Sequence, residues 1–402
     1  MAFRACYEAS CSRHLNTRVL HHFEGLFESV EDGYMNGPQV HKRNIEDYAK
    51  FFTRIYSNTS VVNLKPNTAG VRVVGIDGGG ARGVTPLGFM GELQKLLGNC
   101  QLHEMIDLAT GTSSGGLTVL AKFHQQWPVA QCAAVFEKLA RRCFSRSESA
   151  FGRLKSLVHY VTTDAMYDEC FLEDALRDLL KDNHLFGYVP NTISGTKVAL
   201  TTTSRGNSRF ILTNYNGSTP LAKTGGYTII RPREIHNEPL LWQAARATTA
   251  APIFFKPVKI AGEEFCDGGL AFPSPIELAT WEASRIWNED TVNDVTISLG
   301  TGEVTKSLPI DSGRSHSLQR LWSSFMDFLD GHSRSRDMKN GLCQQQRKDF
   351  FRLDTQLPSP IRLDDTRSLE LQKEMVFLTP QRQLTDVATA LQSLSTSDIQ
   401  MR

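Results

Sequence analysis

The sequence has no apolar run long enough to cross a bilayer and no N-terminal segment of the kind that directs secretion. Its apolar stretches fall well short of the ~18 residues that a membrane-spanning helix needs. The N-terminus carries Arg4, Glu8, Arg13 and Arg18 without an apolar core between them, whereas a secretory signal has a continuous apolar centre. We therefore expect a protein that neither spans a membrane nor enters the secretory route.

The chain also lacks an excess of charge of either sign. It has 44 basic and 43 acidic side chains, which gives a formal net charge of +1. Nucleic-acid-binding proteins normally present a basic surface to the phosphates, so no nucleic-acid partner is expected. Hydrophobic residues make up 40% and charged residues 22% of the chain, as is typical of soluble globular proteins.

Cysteine is sparse and indicates neither a disulfide framework nor a complete metal site. The eight cysteines are scattered through 402 residues, which is typical of reduced thiols in a cytosolic protein. Cys6, Cys11 and His14 could begin a zinc site, but no later cysteine pair completes it. An Asp-rich calcium loop is also missing. We therefore expect no metal, no cofactor and a cytoplasmic location.

The character of the sequence changes near residue 70 and again after residue 302. Residues 1–69 are polar, with one helix expected over 43–56 and a boundary over 63–70, and are interpreted as an N-terminal extension. Residues 70–302 are predicted to form the main domain, and 303–402 a partly helical C-terminal extension packed on it. Residues 321–329 form an apolar stripe, for which a packed helix and a lipid-facing helix are the two alternatives.

Within the main domain, short apolar runs alternate with helical patterns, which indicates an α/β sheet with helices on both faces. A β-branched run, Val71–Ile76, reads as a buried strand. It is followed by a glycine loop and a helix over Pro86–Leu97. A second strand over Met105–Thr110 leads into a helix over Gly116–Phe123. Further strands are predicted at Lys197–Thr203, Phe210–Thr213 and Val295–Leu299, and further helices at Val129–Cys143, Leu172–Lys181, Leu240–Thr248 and Ile276–Trp287.

The turn between the second predicted strand and the helix that follows it has the pattern of a nucleophile elbow. Ser113 is preceded two residues earlier by Gly111 and followed two residues later by Gly115. Small residues are needed there because the reversal from strand to helix crowds the backbone around the serine. Ser113 would lie at the N-terminus of the predicted helix, where the helix dipole favours a developing alkoxide. Ser113 is therefore the candidate nucleophile.

The turn after the first predicted strand is a glycine loop, residues 78–83, and two different functions could explain it. Three consecutive glycines let backbone N–H groups approach an anionic oxygen closely, as in an oxyanion hole. The same spacing also fits the dinucleotide-binding fingerprint. The dinucleotide-binding alternative needs an acidic residue at the end of the second strand, whereas Asp107 lies at the beginning of that strand. The oxyanion candidates are Gly78, Gly79, Gly80, Ala81, Arg82 and Gly83, with Arg82 either orienting the loop or lying on the surface.

A candidate base comes much later in the chain. Asp267 begins the run completed by Gly268 and Gly269, although a lone Asp-Gly-Gly is a common turn. None of the eleven histidines stands in an obvious triad context, and His236 stays open as an alternative.

Taken together, the three motifs resemble the patatin-like phospholipases. The match covers about residues 71–302 in the family's order, with a weaker similarity to fungal members over 350–365. The resemblance implies a three-layer α/β/α sandwich with a mainly parallel central sheet, related in style to the α/β-hydrolases. It also implies that the glycine loop forms the oxyanion hole and that Ser113 and Asp267 form a Ser–Asp dyad.

Three shorter stretches bear on the same resemblance. Residues 247–252 and 298–302 are similar to family segments on either side of the acid. Many relatives have Asn-Asn-Pro shortly after the acid, whereas this chain has Pro273, Ser274 and Pro275. That departure puts the polar contacts near the dyad in question.

The resemblance implies a lipid acyl hydrolase that forms an acyl-enzyme. An acyltransferase or transacylase, and a hydrolase of a specialised-metabolite ester, are the alternatives. A scaffold with a decayed site is disfavoured, because nucleophile, acid and glycines are all present. The expected partner is a lipid or another acyl ester, met from the aqueous side with transient contact to a membrane surface.

Overall fold

The computed structural model describes most of the chain between residues 71 and 396. The described ranges are 71–144, 167, 169–186, 196–206, 208–215, 226–231, 237–252, 254–287, 293–304, 331–342, 344–359 and 361–396. The helices predicted over 43–56 and 321–329, the boundary at 63–70, the Cys6–His14 cluster and His236 lie outside these residues. The unit that carries the site is Gly70–Leu391. The division into 1–69, 70–302 and 303–402 stays a prediction.

A nine-stranded sheet, parallel at its centre, organises this unit. Strand β1 (Val71–Ile76) pairs in parallel with β2 (Leu108–Gly111) and with β8 (Asn293–Leu299). Next to β2 comes β3 (Lys197–Ser204), also parallel. Antiparallel pairing begins beyond β3, with β4 (Arg209–Thr213). The other strands are β5 (Tyr227–Ile229), β6 (Val258–Ile260), β7 (Glu263–Asp267), β9 (Glu303–Val304), β10 (Phe350–Leu353) and β11 (Gln356–Leu357), of which β9 and β11 form a separate pair.

The register brings the carboxyl ends of the central strands to one level. Ile76 at the end of β1 is opposite Gly111 in β2 and Leu299 in β8. Strand β7 runs antiparallel to the far half of β3, so its last residue, Asp267, is opposite Thr202. Ligand sites in open α/β sheets lie outside the carboxyl ends of the strands. The glycine loop, the elbow and Asp267 are therefore delivered to the same edge.

Helices flank this sheet and bury its β-branched strands on both faces. Val71, Val73 and Phe350 pack with Ile276 and Ala283 of helix α7 (Ile276–Trp287). The other helices are α1 (Val84–Leu97), α2 (Leu102–Met105), α3 (Ser114–Val119, continued by a π-helical turn at Leu120–His124), α4 (Val129–Cys143), α5 (Glu169–Leu180), α6 (Leu241–Thr248), α8 (Gly331–Gly341), α9 (Gln344–Lys348), α10 (Leu369–Phe377) and α11 (Gln381–Thr396). The expected α/β fold with a mostly parallel sheet is confirmed.

The second strand is shorter than the sequence indicated. The prediction began it at Met105, but Met105 ends helix α2 and the strand begins at Leu108. A local capping interaction explains the difference, because the Glu104 carboxylate accepts a hydrogen bond from the Gln101 N–H at 2.9 Å. Helix α1 begins at Val84, two residues before the predicted start, and α5 begins at Glu169 instead of Leu172.

The C-terminal residues contribute a strand to the main sheet. Strand β10 pairs in parallel with β8, with Phe350 opposite Thr296 and Leu353 opposite Leu299. The sequence predicted a partly helical extension packed on the main domain and did not predict this strand. Within the part of the chain that the structure describes, none of the helices has both the length and the apolar character needed to cross a membrane.

Candidate active site

The turn after β2 holds Ser113 in a backbone conformation that few residues adopt. Its φ of 54° and ψ of −123° fall outside the usual regions for an L-residue. A side chain at Gly115 would lie 2.2 Å from the Ile76 carbonyl oxygen, so only glycine allows α3 to begin this close to β1. The Ser113 N–H donates to Thr248 Oγ1 at 3.0 Å. These contacts keep a partly exposed serine at the start of α3.

The segment that follows Asp267 supports the elbow through its backbone. Thr112 Oγ1 donates to the Phe272 carbonyl at 2.6 Å, and Thr110 Oγ1 donates to the Pro275 carbonyl at 3.1 Å. The Gly78 N–H donates to the Pro273 carbonyl at 3.3 Å. The departure from Asn-Asn-Pro therefore leaves a set of contacts that depend on carbonyl groups instead of the side chains of Pro273 and Pro275.

Asp267 lies beside Ser113, far from it in sequence. It is the last residue of β7, is 1% exposed, and its carboxyl accepts a hydrogen bond from the Gly269 N–H at 2.7 Å. The Ser113 hydroxyl lies close enough to this carboxyl to lower its pKa as a hydrogen-bond donor. Gly268 and Gly269 form the tight turn after the acid, Gly268–Leu270. The structure thus brings the predicted nucleophile and the predicted base into contact.

Burial changes the basicity of this carboxyl. Desolvation raises the pKa of Asp267 from 3.8 to about 7, against the opposing hydrogen bonds from Ser113 and from the Gly269 N–H. A carboxylate with a pKa near neutrality is a far better proton acceptor than an aspartate in water. The site can therefore hold a base without a histidine.

The glycine loop offers fewer free donors than the sequence suggested. Four of its six N–H groups donate to protein acceptors or close the turn: Gly78 to the Pro273 carbonyl, Gly79 to Ser114 Oγ, Ala81 to the Leu363 carbonyl and Arg82 to the Gly79 carbonyl. The Gly80 N–H has no acceptor among the described residues, and neither does the Ser114 N–H. Both residues line the cleft beside Ser113. The geometry favours these two amides as the donors for an anionic oxygen.

The remaining predicted loop and elbow residues have structural positions. Gly111 ends β2, and Gly83 ends the 3-10 turn Gly80–Gly83 that leads into α1. Arg82 is 8% exposed, so it is not the surface cation that was one of the two alternatives. Asp107, which a dinucleotide site would need, accepts hydrogen bonds at 2.8 Å from the Arg72 N–H and at 3.4 Å from Arg72 Nε. It holds the amino end of the sheet, away from the glycine loop.

An apolar cleft of about 640 Å³, part of it open to solvent, leads to Ser113 and Asp267. Two aromatic residues that line the cleft, Phe144 and Phe254, both pack on Tyr167, with ring centroids 5.4 Å and 6.0 Å from that of Tyr167. The residues lining the cleft are Gly80, Ser113, Ser114, Leu117, Phe136, Leu139, Ala140, Cys143, Phe144, Leu172, Thr249, Ala251, Phe254, Phe255, Asp267 and Leu363. The few polar groups are concentrated around Ser113.

No metal centre is present in the described part of the chain, where no three His, Cys, Asp or Glu side chains are grouped to hold an ion. The five cysteines among those residues form no disulfide. The site described above consists entirely of side chains and backbone amides.

Several residues of the site were not identified from the sequence. Thr248, Ser114 and Leu363 hold the elbow and the loop, and each acts through one hydrogen bond to the backbone. Asp77 and Arg352 form a buried ion pair at 2.7 Å directly before the glycines. Thr248 and Arg352 lie in stretches that resembled family segments, which was the available signal; no single residue type marked them.

We predict that the free energy of unfolding of Asp267→Asn, relative to that of the wild type, increases as the pH rises from 4 to 7. The pKa of Asp267 is higher in the folded chain than the ordinary 3.8, so its contribution to stability is present at low pH and lost as the pH rises through about 7. That loss is about 1.4 kcal/mol per pH unit between the two values. Denaturant unfolding of both proteins at pH 5, 6 and 7 measures it; a constant difference would contradict a buried, high-pKa carboxyl.

Comparison with known proteins agrees with this geometry. A family model described as patatin-like phospholipase matches residues 75–280. The chain is 28% identical over 313 residues to calcium-independent phospholipase A2-gamma of Mus musculus, covering 75% of this chain and 37% of that protein. It is 30% identical to patatin-like protein 2 of Arabidopsis thaliana, covering 60% and 62%. The chain thus spans little more than a third of the mouse protein's length.

One solved structure, that of VipD from Legionella pneumophila, aligns with 82% of this chain and 67% of that one, at 11% identity and a TM-score of 0.35. Such a score is too low to carry an argument. The family model, by contrast, covers half of the chain and includes the glycine loop, the elbow and Asp267. The chain therefore belongs to the patatin-like phospholipase family.

Proposed function

We propose that the protein hydrolyses acyl esters of lipids through Ser113 and Asp267. The observation that carries the proposal is the position of the Ser113 hydroxyl beside a buried carboxyl, whose pKa it lowers, at the polar end of an apolar cleft. The named relatives, a calcium-independent phospholipase A2 among them, support a phospholipid or a similar glycerolipid as the substrate class. The proposal keeps the expectation of a cytoplasmic protein that meets lipid at a membrane surface.

The first half of the reaction makes an acyl-enzyme. Ionised Asp267 accepts the proton of Ser113 Oγ as that oxygen attacks the ester carbonyl carbon. The carbonyl oxygen becomes an oxyanion, and the N–H groups of Gly80 and Ser114 donate to it. Loss of one such donor typically raises the barrier by about 2.7–4 kcal/mol. The tetrahedral intermediate then expels the alcohol, which takes the proton from Asp267.

The second half releases the fatty acid. Water enters the space that the alcohol has left, and Asp267 accepts one of its protons as the oxygen attacks the acyl carbon. The intermediate collapses, Ser113 Oγ leaves with the proton from Asp267, and the carboxylic acid departs. A different acceptor at this step would give acyl transfer, so the nature of the second product separates hydrolase from transacylase.

The cleft is matched to an acyl chain more than to a head group. Apart from Thr249 and Cys143, its residues away from Ser113 are aliphatic or aromatic, and three of them, Leu117, Phe136 and Leu139, also line a second apolar cavity of about 460 Å³. The residues that line only the second cavity include Leu87, Trp127 and Leu180. We assign the distal carbons of a long chain to this second cavity. Each methylene buried there contributes about 0.8 kcal/mol.

The purified protein is predicted to release free fatty acid from one or more members of a lipid panel, whereas Ser113→Ala and Asp267→Asn lose at least about 10³-fold in kcat. The melting temperature of each variant should be at most a few degrees below that of the wild type. A fluorophosphonate should label the wild type at Ser113 and leave Ser113→Ala unlabelled. Near-wild-type turnover by Asp267→Asn would exclude its role as base, and a labelled ester appearing with an added alcohol would favour transfer.

The pH dependence of kcat/KM should follow the ionisation of Asp267. Only the carboxylate can accept the serine proton, and its pKa is raised to about 7, so activity should fall about tenfold per pH unit below that value. The fluorophosphonate labelling rate, measured over pH 5–9, should show the same acid limb. A flat profile down to pH 5 would mean that another group is the base.

Narrowing the junction between the two cavities should select against long chains. Leu139→Trp is expected to exclude about two methylenes, which costs about 1.6 kcal/mol and lowers kcat/KM about tenfold for a C16 ester. The C4 ester of the same alcohol should be hydrolysed at a nearly unchanged rate. Leu96→Trp, the same change at an exposed position outside the cleft, is the matched control. An equal effect on both esters would show that the distal carbons lie elsewhere.

A further inference from the structure

The C-terminal segment Phe350–Asp365 contacts the glycine loop, although the family model ends at residue 280. Its strand β10 is the neighbour of β8, so Arg352 and Asp354 lie at the carboxyl edge of the sheet, where Asp77 directly follows β1. The same segment returns at Leu363, whose carbonyl accepts the Ala81 N–H at 2.6 Å. Two separate points of one segment therefore hold the two ends of the loop.

Arg352 is the centre of the first point. Its Nη1 lies 2.7 Å from Asp77 Oδ2 and donates to Ser298 Oγ at 2.8 Å, while its Nη2 lies 2.5 Å from Asp354 Oδ2. A planar guanidinium reaches these three acceptors from two separate nitrogens, whereas a lysine carries all of its donors on a single nitrogen. Because Asp77 is 2% exposed, the guanidinium is what makes an ionised carboxylate tolerable at that position.

The network continues into the loop that follows β8. Asp354 Oδ1 accepts the N–H groups of Gly302 at 2.8 Å and Thr355 at 2.9 Å. Thr301 Oγ1 in turn donates to the Gly78 carbonyl at 3.1 Å. Gly78 is thus also held from the side of β8, through a chain of contacts that begins at Arg352.

Leu363 fixes the other end of the loop at the cleft itself. A side chain at Gly80 would lie 2.4 Å from the Leu363 carbonyl oxygen, and Gly80 has a φ of +56°. Leu363 also lines the cleft beside Ser113. Nearby, Asp364 accepts a hydrogen bond at 2.8 Å from Tyr167, whose ring is stacked on that of Phe254 in the cleft. The segment therefore bears on both the donor and the acyl side of the site.

We infer that Arg352 is a positioning residue for catalysis, which acts through Asp77 to aim the Gly80 N–H at the oxyanion. The inference rests on the proposed function. It assigns to the C-terminal segment a part in the active site, not only a place in the sheet. Removal of the guanidinium should leave substrate binding nearly intact and weaken stabilisation of the transition state.

The test compares Arg352→Met with Arg72→Met, using a soluble p-nitrophenyl ester. Arg72 is also buried and bonded to an aspartate, Asp107, but at the amino end of β1. It therefore controls for the loss of a buried cation from the same sheet. We expect Arg352→Met to lower kcat and the fluorophosphonate labelling rate about tenfold or more, with KM within about threefold. Arg72→Met should keep kcat within about twofold at a similar loss of Tm.

Arg352→Lys keeps the positive charge but loses the planar, forked arrangement of N–H donors, so it should fold and give an intermediate kcat. It replaces Arg352→Met in the comparison where that variant does not fold. A kcat within twofold of wild type in Arg352→Lys and in any folded Arg352→Met, or an equal loss in Arg72→Met, overturns the inference and leaves the proposed function standing. An inactive, unlabelled wild type overturns both.

Discussion

The site depends on keeping the carboxyl of Asp267 away from water while leaving it in contact with Ser113. In water an aspartate is too weak a base to activate a hydroxyl group. Here desolvation raises its pKa to about 7, and the hydrogen bonds from Ser113 and from the Gly269 N–H limit the rise. The opposition matters, because these donors favour the ionised carboxylate, which is the form that can accept a proton. A two-membered site is workable only inside that balance.

Sheet topology supplies the geometry that this balance requires. The parallel strands β1, β2 and β8 end at one level and so deliver the glycine loop, the elbow and the loop after Leu299 together. Strand β7 arrives from the opposite direction, alongside the last residues of β3. Its pairing with β3 at Thr202 places Asp267 there. The apolar cleft then covers the carboxyl on the remaining side.

The sequence was most informative where the chemistry is local. The strand at Val71–Ile76, the elbow at Ser113 and the helix at Ile276–Trp287 follow from patterns within a few residues. The contact between Ser113 and Asp267 did not follow from spacing; it came from a family resemblance. The ion pair of Asp77 with Arg352 was not identified, since nothing in either local pattern refers to the other. Long-range pairs of this kind are decided by which strands become neighbours, and β10 was not predicted.

The glycine loop shows why a motif overstates the number of working donors. All six residues from Gly78 to Gly83 look equivalent in the sequence, yet most of their amides are needed to hold the loop in shape. The Gly79 N–H is taken by Ser114 Oγ and the Ala81 N–H by the Leu363 carbonyl. Between these two anchors Gly80 has little freedom to turn, so its own N–H keeps one direction before any substrate arrives. A donor that is fixed in advance costs no reorganisation when charge develops, which is the main source of oxyanion stabilisation. In the proposed mechanism the bound amides thus contribute by orienting the Gly80 N–H.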